Sequence, residues 1–142
     1  MKTLLKNGTI VNEGISFTGS LVIDGEYISK ILIQDNKEYE NQIITLEFQV
    51  DRTVDITDKY LLPGVIDDQV HFREPGATHK GDIESESAAA ALGGVTSFMD
   101  MPNNNPPTVT LSALEGKYSN AAKNSYANYS FYLGATNDNL QE

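Results

Sequence analysis

From Tyr60 onward, strand-like and helix-forming runs alternate along the chain, and this alternation restricts the fold more than any other feature of the sequence. Tyr60-Leu61-Leu62-Pro63-Gly64-Val65-Ile66-Asp67 is an apolar run that ends in a polar cluster, the pattern of a strand buried on both faces whose C-terminal end opens on a site. Asp82 to Leu92 reads as a helix. Asp82, Glu84 and Glu86 suit its positive N-terminal end, Ala88 to Ala91 have high helix propensity, and Gly93-Gly94 supplies a left-handed C-cap. Val95 to Met101 reads as a second buried strand stopped by Pro102, Asn103 to Pro107 as a loop, Leu111 to Asn124 as a helix, and Tyr129 to Gly134 as a third strand. Strand, helix, strand, helix, strand in this order means parallel βαβ units. A closed eight-stranded barrel takes about 250 residues. Residues 60–142 therefore make either a small open α/β domain or the front end of something longer, and the sequence reads as the latter.

The first sixty residues have a different character. Short apolar stretches, Leu4–Val11, Ser20–Ile23, Tyr27–Ile33 and Gln42–Val50, are separated by turn residues, with Asn7-Gly8 and Asp24-Gly25 as hairpin signals. They predict an antiparallel β-module spanning residues 1–59, followed by the α/β part over 60–142. None of the residues in the module carries recognisable chemistry.

Charge and composition narrow the function. Twenty Asp and Glu against ten Lys and Arg give a formal charge of −10, which argues against nucleic acid and anionic membrane surfaces as partners. The absence of cysteine removes disulfides, thiolate metal sites and cysteine nucleophiles. The sequence has no apolar run of about 18 residues to cross a membrane. Met1 to Gly8 turns polar too soon for a signal peptide, so the expectation is a globular cytoplasmic chain.

Polar residues collect where the expected strands end, which is where barrels and open sheets bind ligands. In extended chain, Gln69, His71 and Arg73 of Asp67–Gly76 face one way, and an imidazole beside a guanidinium would set a metal ligand next to an anion-binding group. Asn103 to Asn105 of the second loop offer amides for a carboxylate or amide ligand. Taken singly, each stretch has an ordinary alternative. A lone loop histidine such as His71 or His79 is more often solvated than ligating, Asn and Pro are loop formers, and Asp82 suits a helix N-cap better than a catalytic acid. Gly-rich phosphate loops, nucleophile elbows and His-Glu-x-x-His are all missing.

Taken together, Pro63–Gly76 with its His71-Phe72-Arg73-Glu74-Pro75-Gly76, Asp82–Thr96, and Met101-Pro102-Asn103 resemble the dihydroorotases of the amidohydrolase superfamily. The resemblance covers essentially the whole chain but only about the first third of a typical member. It implies the N-terminal part of a (β/α)8 barrel preceded by a small β-sandwich module built from both chain ends. It also implies a zinc enzyme that interconverts dihydroorotate and N-carbamoyl-aspartate. His71 matches a metal ligand, while Arg73 and Asn103 match the residues that grip the substrate carboxylate. Gln69 stands where the family has the first histidine of a His-x-His metal pair, and its neutral carbonyl is a weaker zinc ligand than imidazole. Asp68 would project to the opposite face of a regular strand and is no obvious replacement. The remaining histidines and the aspartate general base would lie beyond Glu142, so these residues alone are expected to be inactive. Three readings of Gln69 stand open: a site with weaker or fewer metals, a single-metal enzyme with its other ligands further on, or a non-catalytic relative that scaffolds a partner such as aspartate transcarbamoylase. A relative acting on hydantoins or allantoin keeps the fold and changes the substrate, and a homo-oligomer is compatible with any of these. Arg73 followed by Glu74-Pro75-Gly76 favours dihydroorotate.

Overall fold

The computed structural model describes residues 1–141, which divide into two compact units meeting in sequence at Pro63 and Gly64. In the first unit, β1 (Lys2–Asn12), β2 (Ile15–Asp24) and β3 (Tyr27–Ile33) form an antiparallel meander, followed by α1 (Tyr39–Glu47), β4 (Arg52–Asp55) and β5 (Tyr60–Leu61). The Asp24-Gly25 signal becomes the β2–β3 hairpin, with Gly25 at φ 61°. Asn7-Gly8 makes no turn. Asn7 sits at φ 67° in a bulge within one continuous strand, where the register to β2 shifts between Leu5 and Gly8.

Two further expectations for this unit are corrected. The sheet is mixed rather than antiparallel, because β4 and β5 both run parallel to β1. The Gln42–Val50 stretch is helical over most of its length. Tyr39, Ile43, Leu46 and Val50 recur at helical spacing, and this stripe packs on Leu4, Val22 and Leu32 of the sheet. Burying that stripe outweighs the β-branched character of Ile43, Ile44 and Thr45, and Ile44 on the far face stays exposed. The buried Ser20 and Tyr39 hydroxyls, 2.6 Å apart, satisfy each other inside this core.

The Tyr60–Asp67 run is two strands, not one. Pro63 has no N–H to continue a ladder; β5 before it pairs with β1, whereas β6 (Val65–Val70) begins the second unit. The boundary therefore falls after Pro63 rather than at Lys59. Then come α2 (Ile83–Leu92), β7 (Val95–Asp100), α3 (Leu111–Asn124) and β8 (Asn128–Phe131), with all three strands parallel in the order β6-β7-β8. Asp82 caps α2 by accepting the Ser85 N–H at 2.8 Å, and Thr110 caps α3 through Ala113. Gly94 takes the left-handed conformation after α2 at φ 89°. The core is aromatic: Phe98 is 1% exposed, with its ring centroid 4.4 Å from Phe72 and 6.5 Å from Phe131, and Ile83 and Ala121 close it from the helices. β6 was expected to be buried on both faces, but Val65 and Ile66 are exposed because this edge strand has β7 as its one neighbour. Among the described residues, no helix is long and apolar enough to cross a membrane.

Candidate functional site

The polar residues of the second unit lie at the C-terminal ends of β6 and β7. The ladder ends with Val70 opposite Asp100. Phe72 then turns its ring into the core and leaves His71 and Arg73 on either side of it exposed. Alternation does not run on to Arg73. The strand stops at Val70 and Arg73 sits at φ 67°, so Gln69, His71 and Arg73 do not share one extended face. The sequence expectation of a single face is corrected on this point.

Two loops are joined here. The loop after β6 carries His71 to Gly76, and the loop after β7 carries Met101 to Pro107. Asn104 Nδ2 donates to the Glu74 carbonyl at 2.9 Å, and the Asn105 N–H donates to that of Pro75 at 3.2 Å. Gly76, at φ 97°, lets the two backbones meet; a Cβ there would stand 1.9 Å from the Asn105 carbonyl oxygen. Both Glu74–Pro75 and Asn105–Pro106 are cis.

This joining brings His71 and Asn103 together, with His71 Nδ1 2.9 Å from Asn103 Oδ1. An amide oxygen only accepts, so the contact assigns the proton to Nδ1 and leaves the Nε2 lone pair available to a ligand. Among the described residues Asn103 Nδ2 meets no acceptor, so both of its N–H donors face a ligand. The Arg73 guanidinium is exposed and belongs to none of the ion pairs among the described residues. Gln69 is likewise exposed, its N–H bonded to Asp67 Oδ1 at 3.1 Å. The conspicuous carboxylate of Glu74 accepts the Ile83 N–H at 2.9 Å and so serves the N-terminus of α2. Asp82 completes a capping box. The Ser85 hydroxyl and then the Ser85 N–H hold its carboxyl below the usual aspartate value, against a smaller opposing effect of burial. His79 is exposed.

Sequence reasoning missed the groups beneath these loops. Asp100, wholly buried, accepts the Phe72 N–H at 2.9 Å through Oδ1 and pairs with Lys117 at 2.5 Å through Oδ2. The Lys117 ammonium also donates to Asn104 Oδ1 at 2.9 Å and the Met101 carbonyl at 3.3 Å, and lies 4.6 Å from the centre of the Phe131 ring. The available signal was a lysine on the apolar stripe of α3, between Leu114 and Ala121 at helical spacing.

His71, with its tautomer set by Asn103, fits as one imidazole ligand. The Gln69 carbonyl is a neutral second donor. Among the described residues no three His, Cys, Asp or Glu side chains gather into a metal site. The residues present thus fit part of a coordination sphere.

The dihydro-orotase-like family matches residues 58–136, more than half of the chain. A dihydroorotase of Methanosphaera stadtmanae is 36% identical over 79% of this chain and 26% of its own length, and an L-hydantoinase of Paenarthrobacter aurescens is 33% identical over 84% and 26%. Among solved structures, the L-hydantoinase (dihydropyrimidinase) from Arthrobacter aurescens superposes with a TM-score of 0.82 at 27% identity, covering 99% of this chain and 29% of that one. The chain spans about a quarter of the length of the curated relatives it matches. Its fold is the N-terminal part of a (β/α)8 barrel of the cyclic-amide hydrolase type, preceded by a small β-sandwich module. With the family matched over more than half of its residues, the chain belongs to the dihydro-orotase-like family.

Proposed function

We propose that this chain is the N-terminal part of a cytoplasmic dihydroorotase, which interconverts dihydroorotate and N-carbamoyl-L-aspartate in de novo pyrimidine biosynthesis. The observation that carries the reading is the 2.9 Å approach of His71 to Asn103 at the strand ends, with the exposed Arg73 guanidinium two residues from His71. A substrate that carries a carboxylate beside the ring amide needs an anion grip next to the reacting carbonyl. Arg73 supplies two parallel donors to that carboxylate, and Asn103 adds its Nδ2 because its Oδ1 is engaged by His71. Zinc would be held by His71 through Nε2 and more weakly by Gln69 through its carbonyl, with the other ligands and the general base on later strands. When bound, the metal supplies a Lewis acid and a water of lowered pKa. Residues 1–142 alone are on this reading inactive.

The test is Arg73→Ala in the full-length protein. Losing charge-assisted hydrogen bonds worth about 1.5–3 kcal/mol raises KM for dihydroorotate roughly 10- to 150-fold, with kcat changed much less. An unchanged KM removes the carboxylate role. A hydantoin substrate is the second reading, favoured by the likeness to the L-hydantoinase structure. A hydantoin ring bears no carboxylate of its own, so hydantoin turnover would survive Arg73→Ala. The scaffold reading, prompted by Gln69, fails if the unmodified full-length protein binds metal and turns over either substrate.

A further inference from the structure

We propose that Lys117, through its ion pair with Asp100, is the positioning residue that holds His71 and Asn103 in register; this rests on the reading of that pair as the substrate end. An ammonium has three hydrogens, and Lys117 has three acceptors: Asp100 Oδ2, the Met101 carbonyl and Asn104 Oδ1. Two of these acceptors lie on the loop that carries Asn103, with Met101 before it and Asn104 after it. The third, Asp100, accepts the N–H of Phe72, the residue after His71. One buried cation therefore ties the backbones on both sides of the His71–Asn103 contact. Asn104 extends the tie to the Glu74 carbonyl, and Thr108 donates to Asn104 Oδ1 at 3.1 Å. The Lys117 and Asp100 side chains are 2% and 0% exposed, so solvent does not compete for these bonds. Lys117 and Asp100 are buried whereas His71, Arg73 and Asn103 are exposed, so Lys117 acts only through others.

The experiment reads the ring nitrogens of His71 by long-range 1H–15N spectra of this chain, with the exposed His79 as internal reference. In the unmodified chain His71 is protonated on Nδ1. Lys117→Met alone would strand the Asp100 charge in the core, so the working variant is Asp100→Asn with Lys117→Met, which keeps an acceptor for Phe72 and removes both charges. In a folded double variant His71 is expected to lose the Nδ1-protonated pattern and resemble His79. With Asp100 kept, Lys117→Arg retains a cation beside that carboxylate and is expected to keep the Nδ1-protonated pattern. A purely structural role lowers the melting temperature and leaves the His71 tautomer unmoved, and that outcome overturns the proposal. If the variants do not fold, amide exchange in the unmodified chain decides. Phe72 N–H should be as protected as the β7 amides, and loop-like exchange there refutes the tie. No substrate enters these measurements, so they fail independently of the KM test on Arg73→Ala.

Discussion

Phe98→Ala tests whether the aromatic cluster is what holds the strand ends of the second unit in place. Phe98 lies in the middle of β7, 1% exposed, with its ring centroid 4.4 Å from Phe72, 6.5 Å from Tyr129 and 6.5 Å from Phe131. An aromatic side chain of this kind buries about 150–250 Å², which at about 25 cal/mol per Å² sets an upper bound near 4–6 kcal/mol. Truncation to alanine in well-packed cores costs about 3–5 kcal/mol, because the surrounding side chains only partly fill the cavity. Here relaxation is limited: Phe72, Tyr129 and Phe131 are themselves on strands or tethered by the Asp100 bond. A loss of about 4 kcal/mol is therefore expected, about a quarter or more of the stability of an ordinary domain. Urea unfolding followed by near-ultraviolet circular dichroism measures it, since the Tyr118 and Tyr129 rings meet at a tilt beside Phe131 in the same cluster. A loss below about 1 kcal/mol would refute the reasoning, because it would require the site to collapse around alanine or the cluster to be peripheral.

Two further perturbations follow from local geometry. The Asp82 carboxyl is held below its ordinary value by Ser85, so its contribution is present above the ordinary aspartate pKa and is lost as pH falls through the depressed folded value. Protection of the α2 amides against exchange should fall over that acid range, and Asp82→Ala should weaken this pH dependence; an unchanged acid limb in the variant would exclude the cap as its source. Gly76→Ala places a Cβ 1.9 Å from the Asn105 carbonyl oxygen at a left-handed φ. The conformational term alone costs about 1–2 kcal/mol, and the clash should separate the two loops, seen as loss of the His71 Nδ1–H signal; an unperturbed spectrum would refute the close approach.

Much of the second unit was legible in the sequence. α3 spans Leu111–Asn124 as its pattern predicts, α2 starts after its Asp82 cap, and Gly94 terminates it, because caps, left-handed glycines and helical periodicity act within a few residues. The same local reasoning misread α1. Ile43-Ile44-Thr45 has strand propensity, and only the sheet face formed by Leu4, Val22 and Leu32 selects the helical stripe. It also missed the break at Pro63, since β5 and β6 are distinguished by their partners, β1 and β7, rather than by their own residues.

For the site, the chemical inventory is legible from the residues alone: one imidazole, one guanidinium and a run of amides at strand ends, with no thiolate. Which of them meet depends on the folded chain. His71 and Asn103 are 32 positions apart, and their 2.9 Å contact exists because parallel pairing sets Val70 opposite Asp100 and stitches the two loops together. Lys117 lies on the apolar stripe of α3. It becomes a buried cation because Asp100, 17 residues earlier, is carried to the same place by the β-α turn, and burial leaves each charge no other partner of comparable strength.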